Sequence, residues 1–102
     1  GVSGMSAASI LRQAASIVDG RRRTYGDPID HLQRVARRWS ITLGVTVTAH
    51  QVALCMIDMK QERLRKDPRH ADSKKDIAGY AAIMAELDRT ITTRKSKTRN
   101  RK

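Results

Sequence analysis

Three stretches of the chain bring together side chains able to handle an anion or a metal ion. The first is Gly20-Arg-Arg-Arg-Thr-Tyr-Gly-Asp27, where Arg21, Arg22 and Arg23 precede Tyr25 and Gly26. Consecutive guanidiniums beside a glycine free to take positive φ suit a phosphate or carboxylate oxyanion. The same composition describes a solvated basic loop in which Tyr25 plugs the edge of the core. The second is Lys60 with Arg63, which continue the spacing of Met56 and Met59 and leave a buried face as their helix emerges from the core. Cations there snorkel outward, pair with carboxylates such as Asp72 and Asp76, or receive a ligand phosphate. The third is Arg69-His-Ala-Asp-Ser73 followed by Asp76. Asp72 and Asp76 are four apart, so on a helix both face one way, with Tyr80 one turn further along. Two such carboxylates can hold Mg²⁺, which prefers oxygen ligands and keeps several waters. They are equally what a helix start uses for capping. His70 beside them is a general base, a phosphate donor or an ordinary loop histidine. Asp58 and Glu62 form a further i, i+4 acidic pair, so a four-carboxylate cluster is geometrically conceivable.

Other chemistries fare worse. His31, His50 and His70 lack metal-ligand spacing, which argues against zinc. The common phosphate loops, GxxxxGK followed by Ser or Thr and GxGxxG, are absent. The single cysteine, Cys55, leaves no intramolecular disulfide and no cysteine-based zinc site. Its apolar sequence neighbours place it at the centre of a buried helix, where a thiolate nucleophile is disfavoured. Tyr25, Trp39 and Tyr80 are the only aromatics, too few for stacked platforms that read single strands. No apolar run approaches the roughly 18 residues of a bilayer span, and no signal peptide is expected before the first helical stretch. A soluble, cytoplasmic protein without a membrane partner is expected.

The elements that must position these groups follow from periodicity and end signals. At 102 residues the chain is one domain with a modest core. A first helix is predicted from about Ser6 to Val18, stopped by Gly20, with a loop over residues 20–27. Asp27 as N-cap and Pro28 at the first helical position open the second helix. Its buried stripe is Ile29, Leu32, Val35, Ala36, Trp39 and Leu43, and Gly44 closes it as a left-handed cap. Thr48-Ala-His-Gln51 has capping-box spacing for a third helix, apolar from Val52 to Met59 and therefore central, ending before Pro68. Ser73-Lys-Lys-Asp76 repeats that spacing for a fourth helix with the stripe Ile77, Tyr80, Ala81, Met84, Leu87 and Ile91. Val45-Thr-Val47 is the only strand-like scrap, too short for a sheet. An all-α, compact four-helix arrangement is the expectation.

Charge is unevenly spread. Of 21 basic residues, seven fall in Arg89–Lys102, which has no acid, leaving fourteen against ten acids, or +4, in residues 1–88. The expected organisation is a flexible leader over 1–5, a single helical domain over 6–91 and a disordered basic tail over 92–102. Arg94 and Lys95 of that tail, with Arg34, Arg37 and Arg38 on one face of the second helix, would suit a nucleic-acid backbone. A solubilising tail has the same composition.

The stretch from Arg23 to Ala82 resembles a family of small proteins from tailed phages and prophages to which no activity is assigned. The resemblance rests on Arg23-Thr-Tyr-Gly-Asp-Pro28, Val35-Ala-Arg-Arg-Trp-Ser40, Leu43-Gly44, Val52-Ala53, Lys60 with Arg63-Leu64, and Pro68-Arg-His-Ala-Asp-Ser73 through Asp76-Ile-Ala-Gly-Tyr-Ala-Ala82. It implies a protein of the bacterial host cytoplasm. More distantly the layout is similar to the MazG-like all-α nucleotide pyrophosphohydrolases, which bind Mg²⁺ through paired acidic residues on two helices and assemble as dimers or tetramers. Lys60-Gln-Glu-Arg63 stands where the first acidic pair would be expected, and Asp72 and Asp76 are four apart rather than three. The polar character of the matched positions implies a shared site where the 21–26 loop meets the end of the third helix and the start of the fourth. There Arg23, Tyr25, Lys60, Arg63 and Tyr80 would bind a phosphorylated ligand, most simply a nucleotide. His70, Asp72 and Asp76 would serve any catalysis, with Asp72 and Asp76 as the metal pair. A homo-oligomer, dimer or tetramer, is expected, and the rival functions are nucleic-acid binding or engagement of a host protein.

Overall fold

The computed structural model describes residues 6–99, with side chains through residue 89. The chain forms α1 (Ala7–Tyr25), α2 (Pro28–Leu43), α3 (Ala49–Lys66) and α4 (Ala71–Arg99), with no strand among the described residues. Most end signals act where the sequence puts them. Ser6 caps α1 by accepting the Ser9 N–H, and Asp27 caps α2 by accepting that of Ile29, with Pro28 in the first turn. Gly44 closes α2 at φ 73°, and Thr48 and Gln51 complete a reciprocal capping box.

Three boundaries depart from the sequence expectation. The predicted 20–27 loop is helical through Tyr25, and Gly26 at φ 90° is the true stop, its N–H donating to the Arg22 carbonyl. A helix-interior glycine costs only about 1 kcal/mol, so Gly20 does not end a helix whose next turn reaches α4 through Arg21 and Arg22. At the other end, α4 begins at Ala71, before Ser73. His70 does the capping: its Nδ1 accepts the Ser73 N–H at 3.2 Å and lies 2.8 Å from the Ser73 hydroxyl, which is itself buried. The backbone of α4 also continues through Arg99, past Ile91. The tail side chains, Arg94 and Lys95 included, lie outside those described, as does the leader over 1–5.

The core joins Leu32 and Ala36 of α2 to Val52 and Ala53 of α3, with Trp39, Met56, Tyr80, Ile83 and Met84 packed around them. Val47 of the connection packs on the same core, held by Ser40, whose hydroxyl accepts the Val47 N–H at 2.8 Å. Each fully buried Val or Leu contributes about 1.5–3 kcal/mol, and Val52 and Leu87 are both 1% exposed. The central helix is α4, which packs against all three others, not α3. Only Val52 and Ala53 of α3 are buried, and Leu54, Met59 and Cys55 are exposed, so the cysteine is not in the core. Leu43, expected in the buried stripe of α2, is likewise 63% exposed. Helices α3 and α4 run antiparallel: His50 Nε2 lies 3.0 Å from Asp88 Oδ1 at one end, and Lys60 Nζ lies 3.1 Å from Asp76 Oδ2 at the other.

Helix α1 stands apart from that core and packs chiefly on α4. Gly79 makes the approach close: a Cβ there would sit 3.3 Å from Val18 Cγ2. The small residue that admits the neighbour is thus Gly79.

Candidate functional site

Because α1 meets α4 without closing fully on α2, a cleft of about 390 Å³ remains between the three helices. The helical register of α1 decides what lines it. Ala14, Ile17, Val18, Arg21, Arg22 and Tyr25 recur at i, i+3, i+4, i+7, i+8 and i+11, one face of a helix, and all border the cleft. Arg23 does not: it is exposed, and its guanidinium lies back along α1 near Gly20, 3.9 Å from where a Cβ would stand. The floor is the α4 face Lys75, Asp76, Gly79, Tyr80 and Ile83, and α2 contributes Pro28, His31 and Leu32. Tyr80 belongs to both cleft and core, so its ring is anchored from behind. Tyr25 is 78% exposed at the mouth and plugs no core edge.

Two ion-pair systems bracket this floor. Asp76 receives Lys60 at 3.1 Å and Arg21 at 3.7 Å, its carboxylate only 13% exposed. Arg22 reaches Glu86 at 2.6 Å. That hydrogen bond, with the Glu86 charge, holds the Arg22 guanidinium's pKa above its usual value. Adjacent arginines on α1 therefore grip α4 at points ten residues, about 15 Å, apart. Both contacts are largely exposed on the arginine side, so each adds little to stability on its own.

Of the residues singled out by sequence, the structure brings Tyr25, Asp76 and Tyr80 to the cleft, with Lys60 reaching Asp76 from outside it. Arg23, Arg63, His70 and Asp72 do not line it. The expected Lys60–Asp76 pairing forms, while Arg63 and Asp72 make no ion pair among the described residues. Asp72 sits in the first turn of α4, where a carboxylate complements the helix dipole. The four-carboxylate cluster does not assemble: among the described residues no three His, Cys, Asp or Glu side chains are placed to hold a metal ion. Glu62 instead pairs with Arg65 on its own helix, raising that guanidinium's pKa. Arg21 and Arg22 enter the sequence reading only as members of a basic loop from which Arg23 alone was carried into the site, and Lys75 was passed over. The signal that finds the two arginines is the i, i+3, i+4 continuation of the α1 stripe across Gly20.

The motifs spread over all four helices match a family pattern covering residues 9–88. The chain belongs to the domain of unknown function DUF6378. It is similar to the Gene 55 protein of Mycobacterium phage L5, 37% identical over 81 residues, 78% of this chain and 52% of that protein. The Gene 55 protein of Mycobacterium phage D29 is 34% identical over 80 residues, 78% of this chain and 53% of that one. This DUF6378 chain therefore spans about half the length of the curated relatives it matches, and those relatives support the small phage protein family that the motifs implied. No solved structure matches the chain. No helix among the described residues is long and apolar enough to cross a membrane.

Proposed function

We propose that this DUF6378 domain binds an organic phosphate in the cleft between α1 and α4, with a nucleotide as the best-matched class. One observation carries the reading: an apolar cleft backed by Tyr80 and Ile83 is rimmed by Arg21, Arg22 and Lys75, in a volume of about 390 Å³. Small-molecule sites are typically apolar clefts of about 300–1,000 Å³ with a few convergent polar groups. In this reading the rim cations take the phosphate and the apolar floor takes the body of the ligand. Arg21 and Arg22 replace Arg23 as the phosphate contacts, and Lys60 acts by holding Asp76.

The residues present do not fit the Mg²⁺ pair of a MazG-like pyrophosphohydrolase. Both Asp76 oxygens face cations, Asp72 is exposed and outside the cleft, and no third oxygen ligand joins them among the described residues. The proposal is therefore binding, with no hydrolytic step. A thermal-shift panel of nucleoside mono-, di- and triphosphates tests it. A ligand at 100 times its Kd stabilises by about 2.7 kcal/mol, and no shift for any member refutes the reading. A nucleic-acid role has one observation in its favour, the exposed face of Arg34, Arg37 and Arg38 on α2. It is a separate surface from the cleft.

A further inference from the structure

We infer that Asp76 sets the charge class of the ligand, so that the cleft takes a phosphomonoester in preference to the di- or triphosphate of the same compound. This rests on the reading of the cleft as an organic-phosphate site. The rim looks strongly cationic in sequence, yet most of its charge is already spent. Arg22 is engaged by Glu86 at 2.6 Å, and Arg21 faces Asp76 at 3.7 Å. Asp76 lines the cleft itself, and its carboxylate is 13% exposed, so water screens it poorly from whatever enters. Lys60 pins it from behind at 3.1 Å, which keeps it from swinging away. Lys75 is the one lining cation without an ion pair among the described residues.

Among the lining groups and their ion-pair partners, four cations (Arg21, Arg22, Lys60, Lys75) thus meet two carboxylates (Asp76, Glu86), a residual of +2 that Asp19 and Asp27, both acting on Arg22, reduce further. A phosphomonoester carries about −1.5 to −2 at neutral pH, which matches. Each further phosphoryl group adds negative charge that finds no further unpaired cation among the described lining residues and lies within a few ångströms of Asp76. At such range in a partly desolvated site the repulsion is worth about tenfold in affinity or more.

The test is calorimetric titration of the full chain with adenosine and guanosine mono- and triphosphates in EDTA, so that no divalent ion offsets ligand charge. The wild-type protein is expected to bind the better monophosphate about tenfold more tightly than its triphosphate. Asp76→Asn is expected to abolish or reverse that ratio, and Glu86→Gln to move it the same way by less. Circular dichroism confirms that each variant is folded, and Glu86→Gln decides the matter should Asp76→Asn not fold. A wild-type preference for triphosphate, or a ratio unmoved in a folded variant, overturns the inference. Absence of binding by every nucleotide overturns the cleft reading itself, and this inference with it.

Discussion

Alanine at Gly20 and at Gly79 separates two claims on which the site depends, because both glycines lie inside helices but meet different surroundings. At Gly20 an added Cβ finds only the flexible Arg23 guanidinium at 3.9 Å. With helical backbone and open space, the substitution gains the full intrinsic difference between glycine and alanine, about 0.8–1 kcal/mol. For a domain of this size that is a rise in Tm of about 4–8 °C. At Gly79 the same gain is opposed by Val18 Cγ2 at 3.3 Å, where a β-branched side chain has few rotamers into which to retreat. Overpacking costs about 1–3 kcal/mol, so Gly79→Ala is expected to be neutral to destabilising by up to about 2 kcal/mol. Urea unfolding, with the midpoint and slope compared among the three proteins, reads both effects. A neutral or destabilising Gly20→Ala would mean that residues 20–25 are not helical, and the choice of Arg21 and Arg22 over Arg23 would fall with it. A Gly79→Ala that stabilises by a full 1 kcal/mol would show that α1 does not rest on α4.

Three other outcomes follow from particular contacts. His70→Ala removes the imidazole that accepts the Ser73 N–H and is expected to cost about 1 kcal/mol, as for other lost helix caps, without altering nucleotide affinity. A large loss of affinity at constant stability would instead give His70 a ligand role. On the rival nucleic-acid reading, deleting residues 90–102, which removes six basic residues, reduces the salt dependence of duplex DNA binding by up to about 0.9 in log–log slope per lost phosphate contact. An unchanged slope excludes the tail as the DNA contact. Self-association through the exposed α3 side chains predicts that Leu54→Glu with Met59→Glu yields monomer in light scattering, and an unaltered mass refutes that route.

The helices were legible because their end signals are local chemistry. Asp27-Pro28, Gly44 and the Thr48–Gln51 box each act on their own turn, so sequence suffices. What escaped was decided by packing between helices. Gly20 reads as a stop until α4 supplies a partner for the following turn, and Ser73 reads as a cap until His70 is seen to take that place. The apolar run of α3 suggested a central helix, yet Leu54, Cys55 and Met59 face outward and α4 has the larger share of neighbours. The site inherited both effects. Lys60 and Asp76 were identified and do pair, whereas the choice among three consecutive arginines hangs on a helical register that the loop assignment had erased.

The cleft is tested most directly by following backbone amide resonances of the labelled protein during titration with a nucleoside monophosphate. Shifts are expected to concentrate at Gly26, Gly79 and Tyr80, to be lost in Arg21→Ala, and to persist in Arg23→Ala. Shifts confined to the Arg34–Arg38 face, or equal losses in the two arginine variants, would contradict the account.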